Sequence, residues 1–186
     1  MQLSLKEIVS ALDATGNVDA ATATGYSIDS RTIAPGDCFF AVRGARLDGH
    51  DYVTHSLDKG AIAAVIAEDR RASFPQEFQS RLIGVAEPLE AMQRLAAHVR
   101  RKWAGPVVAI TGSTGKTTTK QMIATLLATR FAVHQNEGNL NNHFGLPLSL
   151  LRLDPAAKIA VFELGMSAAG EIRFLTGICK PDVGVV

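Results

Sequence analysis

The segment "TGSTGKT" (Thr111–Thr117) sets two glycines, a lysine and a threonine at spacings that suit one task, the binding of phosphate. Main-chain N–H groups converge on an anion only where the chain enters conformations that side chains resist, and glycine supplies these. A helix beginning at the turn adds unpaired N–H groups and the positive end of its dipole. A lysine then reaches the terminal phosphates, and a hydroxyl helps to hold Mg²⁺. Gly112, Ser113, Thr114 and Gly115 make the turn, Lys116 and Thr117 supply the ammonium and hydroxyl, and Thr118 follows on the helix. The strict G-x-x-x-x-G-K-[ST] pattern asks for glycine where this chain has Ile110, so the motif lacks its first glycine. The bland alternative is a glycine-rich turn beside an ordinary surface lysine. Lys120, one turn further on, reads as a residue of the solvated helix face.

A second oxygen ligand for Mg²⁺ has a candidate in Glu163, the last residue of the apolar run "KIAVFE". In a parallel sheet, ligands sit at the carboxyl ends of the strands, and Mg²⁺ takes oxygen donors. The same position also suits a strand-end acid in a solvated loop. Glu171 reads as an acid in the first turn of a helix, favoured there by the dipole. The stretch "NEGNLNNHFG" (Asn136–Gly145) has turn-forming composition, yet it follows the second strand of its unit and can reach a nucleotide. His143 alone carries no metal argument, no His/Cys/Asp cluster has ligand spacing, and no G-x-S-x-G nucleophile signature occurs.

The elements that must position these residues alternate between strand and helix. "VVAI" before the turn is a strand, Lys116–Thr129 a helix, Phe131–His134 a strand and Leu146–Leu151 a helix. Ile159–Glu163 is a strand, Ala169–Ile178 a helix, and "PDVGVV" a final strand that reads as buried. Upstream, Ser4 and Glu7 form the S-x-x-E capping pattern of a helix lined by Leu5, Ile8, Val9 and Leu12. Tyr26–Arg31, Cys38–Val42, Ala61–Ile66 and Arg81–Val85 read as strands. Asp51–Lys59 is a helix closed by Gly60, and Pro88 opens a long helix that ends before Gly105–Pro106. Alternation of this kind implies an α/β chain with parallel sheets. The boundary falls near Val85–Pro88. It separates a small α/β unit (residues 1–86) from an incomplete parallel-sheet phosphate-loop unit (residues 87–186). The chain's end inside a strand predicts that it is part of something longer.

Bulk properties exclude several classes. The 186 residues are 47% hydrophobic and 20% charged, enough apolar content for packed cores. Nineteen basic and eighteen acidic residues leave a net charge of +1 with no basic block, which argues against nucleic acid or an anionic membrane as partner. Cys38 and Cys179 fit neither a disulfide framework nor metal spacing. No apolar run approaches a membrane span, and the amphipathic start with Glu7 is no secretory signal. A reducing cytoplasm is the default setting.

Together these residues resemble the Mur ligase family of peptidoglycan synthesis, whose phosphate loop is T-G-x-x-G-K-T. Within it, "GNLNNHFGLPLSLL" (Gly138–Leu151) and "FELGMSAAGEI" (Phe162–Ile172) resemble the branch that adds D-alanyl-D-alanine to UDP-MurNAc-tripeptide. "SIDSR" (Ser27–Arg31), "PGDCFFAVRG" (Pro35–Gly44) and "DGHDY" (Asp48–Tyr52) resemble the family's N-terminal UDP-substrate domain. The resemblance implies an ATP-dependent ligase working through an acyl phosphate, with Mg²⁺. Lys116 would contact the β/γ-phosphates, Thr117 and Glu163 would hold Mg²⁺, and the backbone of Gly112–Thr118 would cradle the phosphates. Asn139 and Asn142 would lie on the nucleotide side. Ser30 and Arg31 are candidates for the UDP end, an Arg fork suiting pyrophosphate, with Gly44, Asp48 and His50 in the matching loop. His50 also fits a plain structural role. The implied partners are small molecules; the sequence does not give the oligomeric state, for which a monomer is the expectation. The family's carbamylated lysine, a later histidine and its third domain have no counterpart in these 186 residues. This length alone is therefore expected to be inactive as a ligase. The alternatives are a neighbouring family member that adds the third amino acid, or a non-catalytic UDP-sugar or nucleotide-binding module.

Overall fold

The computed structural model describes all residues from Met1 to Val186. The chain forms two compact units, Met1–Leu95 and Ala96–Val186.

The first unit opens with β1 (Leu3–Ser4) and α1 (Leu5–Leu12). Ser4 is the N-cap of α1, its hydroxyl accepting from the Glu7 N–H at 3.1 Å, and Leu5, Ile8 and Leu12 turn inward as their spacing dictates. The Ala/Thr/Gly-rich loop then holds an unexpected strand, β2 (Thr22–Ala23), antiparallel to β1. The main sheet follows: β3 (Gly25–Ser27), β4 (Asp37–Phe40), β5 (Ala63–Ala67) and β6 (Leu82–Val85). Its order is β3-β4-β5-β6, every pair parallel. The strand read over Tyr26–Arg31 is thus shorter than expected. After Ser27 the chain turns, and Ser30–Thr32 form a short 3₁₀ helix that Asp29 caps. The helix read from Asp51 begins as a 3₁₀ turn (Gly49–Tyr52) before α2 (Val53–Asp58). One face of the sheet packs Phe39, Ala64, Ile66 and Leu82 against Val53 and Leu57 of α2. Each such buried aliphatic or aromatic side chain stabilises the fold by roughly 1.5–3 kcal/mol. The helix α3 (Pro88–Trp103) runs across the division between the units.

The second unit contains β7 (Val107–Ile110), α4 (Lys116–Ala128), β8 (Val133–Gln135), α5 (Gly145–Leu151), β9 (Ile159–Glu163), α6 (Glu171–Cys179) and β10 (Val183–Val185). Its sheet is parallel throughout, in the order β10-β7-β9-β8. The chain leaves β7 for β8 on one side, returns to β9, and then crosses to β10 on the other side of β7. The connections therefore diverge at β7, which makes its carboxyl end the switch point where ligands bind in such sheets. Val108, Ile110 and Val161 form the core under Ala124 of α4, joined by Ile123, Leu127 and Val133. The final strand is not buried as expected: Val183 and Gly184 are exposed, because β10 is an edge strand with β7 as its one neighbour.

Candidate functional site

Parallel pairing of β7 with β9 sets Ile110 opposite Glu163. Both central strands therefore deliver their last residues to the same edge, and the glycine turn starts immediately beyond Ile110. Gly112 and Gly115 have φ of 134° and 75°, conformations that a side chain resists. Gly115 is the N-cap of α4 and no side chain caps that end. The first N–H groups of the helix thus point out of the turn as donors. Lys116 Nζ donates to the Gly112 main-chain oxygen at 2.8 Å, so the ammonium lies back over the loop.

Glu163 is buried at the floor of this turn, 4% exposed, so it is not an acid in a solvated loop. Its Oε2 accepts from Thr117 Oγ1 at 2.7 Å and its Oε1 from Asn141 Nδ2 at 2.8 Å. Thr117 and Glu163 thus meet, one from the first turn of α4 and one from the end of β9. The pair offers a hydroxyl and a carboxylate, both hard oxygen donors. No cluster of three or more His, Cys, Asp or Glu accompanies them. That set suits Mg²⁺, which is usually held by one or two carboxylates with substrate phosphates and water completing its shell.

The Asn-rich segment reaches Glu163 through residues other than Asn139 and Asn142. Asn139 is exposed, and Asn142 is exposed with its Oδ1 accepting the N–H groups of Phe144 and Gly145 ahead of α5. The residues that reach Glu163 are Asn141 and Asn136. Asn136 is 1% exposed. Its Oδ1 accepts from the Glu163 N–H at 2.9 Å and its Nδ2 donates to the Glu163 carbonyl at 3.0 Å. Asn141 is seated against Gly165, whose N–H donates to the Asn141 carbonyl at 2.8 Å. Lys120 corrects an expectation: it is 4% exposed and donates to the Asn136 main-chain oxygen at 2.7 Å. The sequence signal for these residues is weak, since nothing in composition says which asparagine of the segment turns inward. Glu171 behaves as a capping acid, accepting from the Ser167 and Ala168 N–H groups, which hold its carboxyl below the usual range.

In the first unit the sequence candidates lie on the loops after β3 and β4. Ser30 is buried, and Arg31 is exposed with its fork closed on Asp29, Nε to Oδ1 at 2.9 Å and Nη2 to Oδ2 at 2.7 Å. Lys59 Nζ donates to the carbonyls of both Ser30 and Arg31, fixing that turn. Gly44 closes a turn with Leu47. Asp48 joins Arg43 and His50. The Ala67 N–H donates to His50 Nε2 at 2.9 Å. Nδ1 therefore carries the proton and donates to Asp48 Oδ1 at 2.6 Å. Both ring nitrogens of His50 are thus engaged inside the fold. Burial pushes the Asp48 carboxyl up, but the His50 main-chain and ring donors and Arg43 outweigh it and hold the group down at about 2. A cavity of about 170 Å³ lies at the carboxyl ends of β4, β5 and β6, lined by Arg43, His50, Ala67, Arg70 and Glu87. Ser30 and Arg31 do not line it, whereas Arg43 and Arg70, which sequence reasoning passed over, do. The two thiols are unsuited to nucleophilic work: burial pushes Cys38 up to about 12 and Cys179 up to about 11.

A parallel sheet whose switch-point strand runs through a glycine turn into an uncapped helix, with lysine, threonine and a buried strand-end acid around it, defines a phosphate-loop α/β protein. Residues 110–186 match the family model "Mur ligase middle domain" and residues 22–100 match "Mur ligase family, catalytic domain". The chain belongs to the Mur ligase family. Among curated relatives, the UDP-N-acetylmuramoyl-tripeptide–D-alanyl-D-alanine ligase of Bacillus subtilis is 41% identical over 162 residues, 87% of this chain and 35% of that protein. The crystal structure of MurF from Acinetobacter baumannii superposes with a TM-score of 0.88 at 30% identity, over 99% of this chain and 40% of its own. MurF of Thermotoga maritima, solved in complex with ADP, gives a TM-score of 0.73 at 35% identity, over 85% of this chain and 36% of its own. The chain thus spans well under half the length of these relatives. No helix is long and apolar enough to cross a membrane.

Proposed function

We propose that this chain is the part of a cytoplasmic peptidoglycan-precursor ligase that holds ATP and one end of a UDP-linked substrate. Residues 1–86 would serve the UDP-sugar-peptide and residues 87–186 the first part of the ATP-binding domain. The reaction would join D-alanyl-D-alanine to UDP-MurNAc-tripeptide. ATP would phosphorylate the terminal carboxylate of the tripeptide. The amine of the dipeptide would then attack the acyl phosphate, giving an amide, ADP and phosphate. The observation that carries this reading is the hydrogen-bonded Thr117–Glu163 pair beneath an uncapped, glycine-started helix.

The residues have distinct tasks in this reaction. The N–H groups at the start of α4 receive phosphate oxygens, and the helix dipole favours the negative charge. Lys116 exchanges its internal bond to Gly112 for the β/γ-phosphates, following the charge as it shifts during transfer. Thr117 and Glu163 would hold Mg²⁺, which neutralises phosphate charge and orients the transferring group. In the first unit, Ser30, Arg31, Gly44, Asp48 and His50 form the two loops offered to the UDP end. Arg31 holds Asp29 through Nε and Nη2 and keeps Nη1 for pyrophosphate, and His50, with both ring nitrogens engaged, fixes the Asp48 loop beside the cavity it lines. Arg43 and Arg70 supply guanidinium groups at the adjoining cavity.

Thermal shift and calorimetric titration with Mg·ATP and, separately, with UDP-MurNAc-tripeptide test the proposal, because a ligand that binds only the native state raises its stability. Binding of both supports it. Binding of the UDP compound without nucleotide would favour a non-catalytic UDP-sugar module. Binding of neither would overturn the reading. The 186-residue chain by itself is expected to form no ligation product.

A further inference from the structure

Lys120 is the one buried lysine of the chain. Lysine is almost never fully buried unless it is paired, because an ammonium group loses its hydration there. Here Nζ donates at 2.7 Å to a main-chain carbonyl, that of Asn136. An uncharged donor would serve that carbonyl as well, so the site of the contact matters more than its strength. Asn136 is the first residue after β8, which pairs with β9 as far as Gln135 opposite Val161. Beyond that point β9 runs on to Glu163 without a neighbouring strand on that side. The side chain of Asn136 takes the strand's place. Its amide clasps the N–H and the carbonyl of Glu163, and its second N–H donates to the Leu140 carbonyl at 2.9 Å. All the donors of the amide are used.

The clasp has a geometric consequence at the phosphate site. Lys120 stands three residues beyond Thr117 and four beyond Lys116, so all three share one side of α4. That side therefore contacts β9 twice. Thr117 meets the Glu163 carboxylate directly, and Lys120 holds the loop residue that clasps the Glu163 main chain. Asn141, from the same loop, fixes the other carboxylate oxygen. The spacing between the hydroxyl of Thr117 and the carboxylate of Glu163 is thus set by a closed circuit from α4 through Lys120 and Asn136 to β9 and back.

We propose that Lys120 and Asn136 are positioning residues that hold Glu163 at metal-ligating distance from Thr117. The inference rests on the reading of this pair as the Mg²⁺ site. Both side chains are buried and bonded inside the fold, so neither is placed to set the metal-free affinity for a nucleotide. Both set the extra affinity that Mg²⁺ confers, because Mg²⁺ demands near-ideal octahedral geometry and tolerates little displacement of a ligand.

The test measures ATP affinity of the whole 186-residue chain by calorimetry, once with Mg²⁺ and once with EDTA, for the native sequence, Lys120→Met and Asn136→Ser. Coupling between two ligands is typically about 5–150-fold, and the native chain is expected to bind ATP at least about tenfold tighter with Mg²⁺. Either substitution is expected to remove most of that ratio while leaving the affinity in EDTA within about twofold. Lys120→Met is expected to lower Tm only modestly, since relief of the buried ammonium's desolvation offsets part of the cost of leaving the Asn136 carbonyl without its donor. A purely structural role would instead lower the Tm and both affinities in parallel, which would overturn the proposal. So would retention of the native ratio in both variants, or loss of the fold in both. A native chain that binds ATP with no Mg²⁺ preference, or binds none, would overturn the metal-site reading itself, a result distinguishable from the others because it appears before any substitution is made.

Discussion

Gly165 lies two residues past Glu163, and its φ is outside the left-handed region, so alanine meets no backbone strain there. The obstacle is steric. A Cβ at this position would stand 2.9 Å from Asn141 Cγ and Oδ1 and 3.1 Å from Asn141 Nδ2. Real Cβ atoms do not approach so closely, and the Asn141 amide must swing away from the Glu163 carboxylate. The bond lost is charge-assisted, worth about 1.5–3 kcal/mol. Alanine restricts the unfolded chain and gives back about 0.4–1 kcal/mol. Gly165→Ala is therefore expected to destabilise the second unit by about 0.5–2.5 kcal/mol. For a unit of this size the midpoint of that range lowers Tm by about 6–12 °C. Scanning calorimetry of the single and double variants isolates the cause. With Asn141→Ala already present, Gly165→Ala has nothing to displace and should be neutral or stabilising, leaving a coupling of about 1.5–3 kcal/mol. Equal losses in both backgrounds, or no loss in the native one, would refute the claim that Asn141 is wedged between Gly165 and the carboxylate.

Other expectations follow from single contacts. Lys116→Ala removes one charge-assisted donor to phosphate and should weaken ATP binding by about 10–150-fold; UDP-substrate affinity should stay unchanged, and an unaltered ATP titration would exclude this lysine from the site. Because the folded Asp48 carboxyl is held near 2, below its ordinary 3.8, its contribution to stability is present above about pH 4 and is lost as pH falls towards about 2. The stability difference between the native chain and Asp48→Asn should accordingly be full at neutral pH and vanish across that window in urea titrations at stepped pH, and a difference constant down to the lower limit would contradict it. Ser4→Ala removes the N-cap of α1 and should cost about 1 kcal/mol by chemical denaturation, against no change if Glu7 N–H finds another acceptor.

What was legible in the sequence follows one rule: contacts along an element could be read, and contacts across elements could not. The glycine turn, Lys116 and Thr117 are consecutive, and strand–turn–helix chemistry fixes their arrangement before any packing is known. Glu163 was half legible. Its place at a strand end follows from the apolar run before it, but its burial depends on pairing with β7, which puts it opposite Ile110. Asn136 and Asn141 were not legible, because the path of a loop over β9 decides which asparagines turn inward. The loop turns the Asn142 Oδ1 to the N–H groups of Phe144 and Gly145 and leaves Asn139 in solvent.

Lys120 shows why the failure is physical. The buried face of a helix is ordinarily found from its apolar stripe, and α4 carries two. Ile123 and Leu127 pack on the sheet, while Met122 and Leu126 are 69% and 71% exposed. Judged by hydropathy, Met122 should be inside and Lys120 outside; the reverse holds. The sheet ends near Asn136 and Glu163, and the first turns of α4 lie over main-chain polar groups there rather than over apolar side chains. A donor is what that part of the helix requires. Periodicity measures the demand of an apolar surface, so it misjudges a helix end that sits on the polar rim of a sheet, and the rim at the switch point is where a phosphate site must be built.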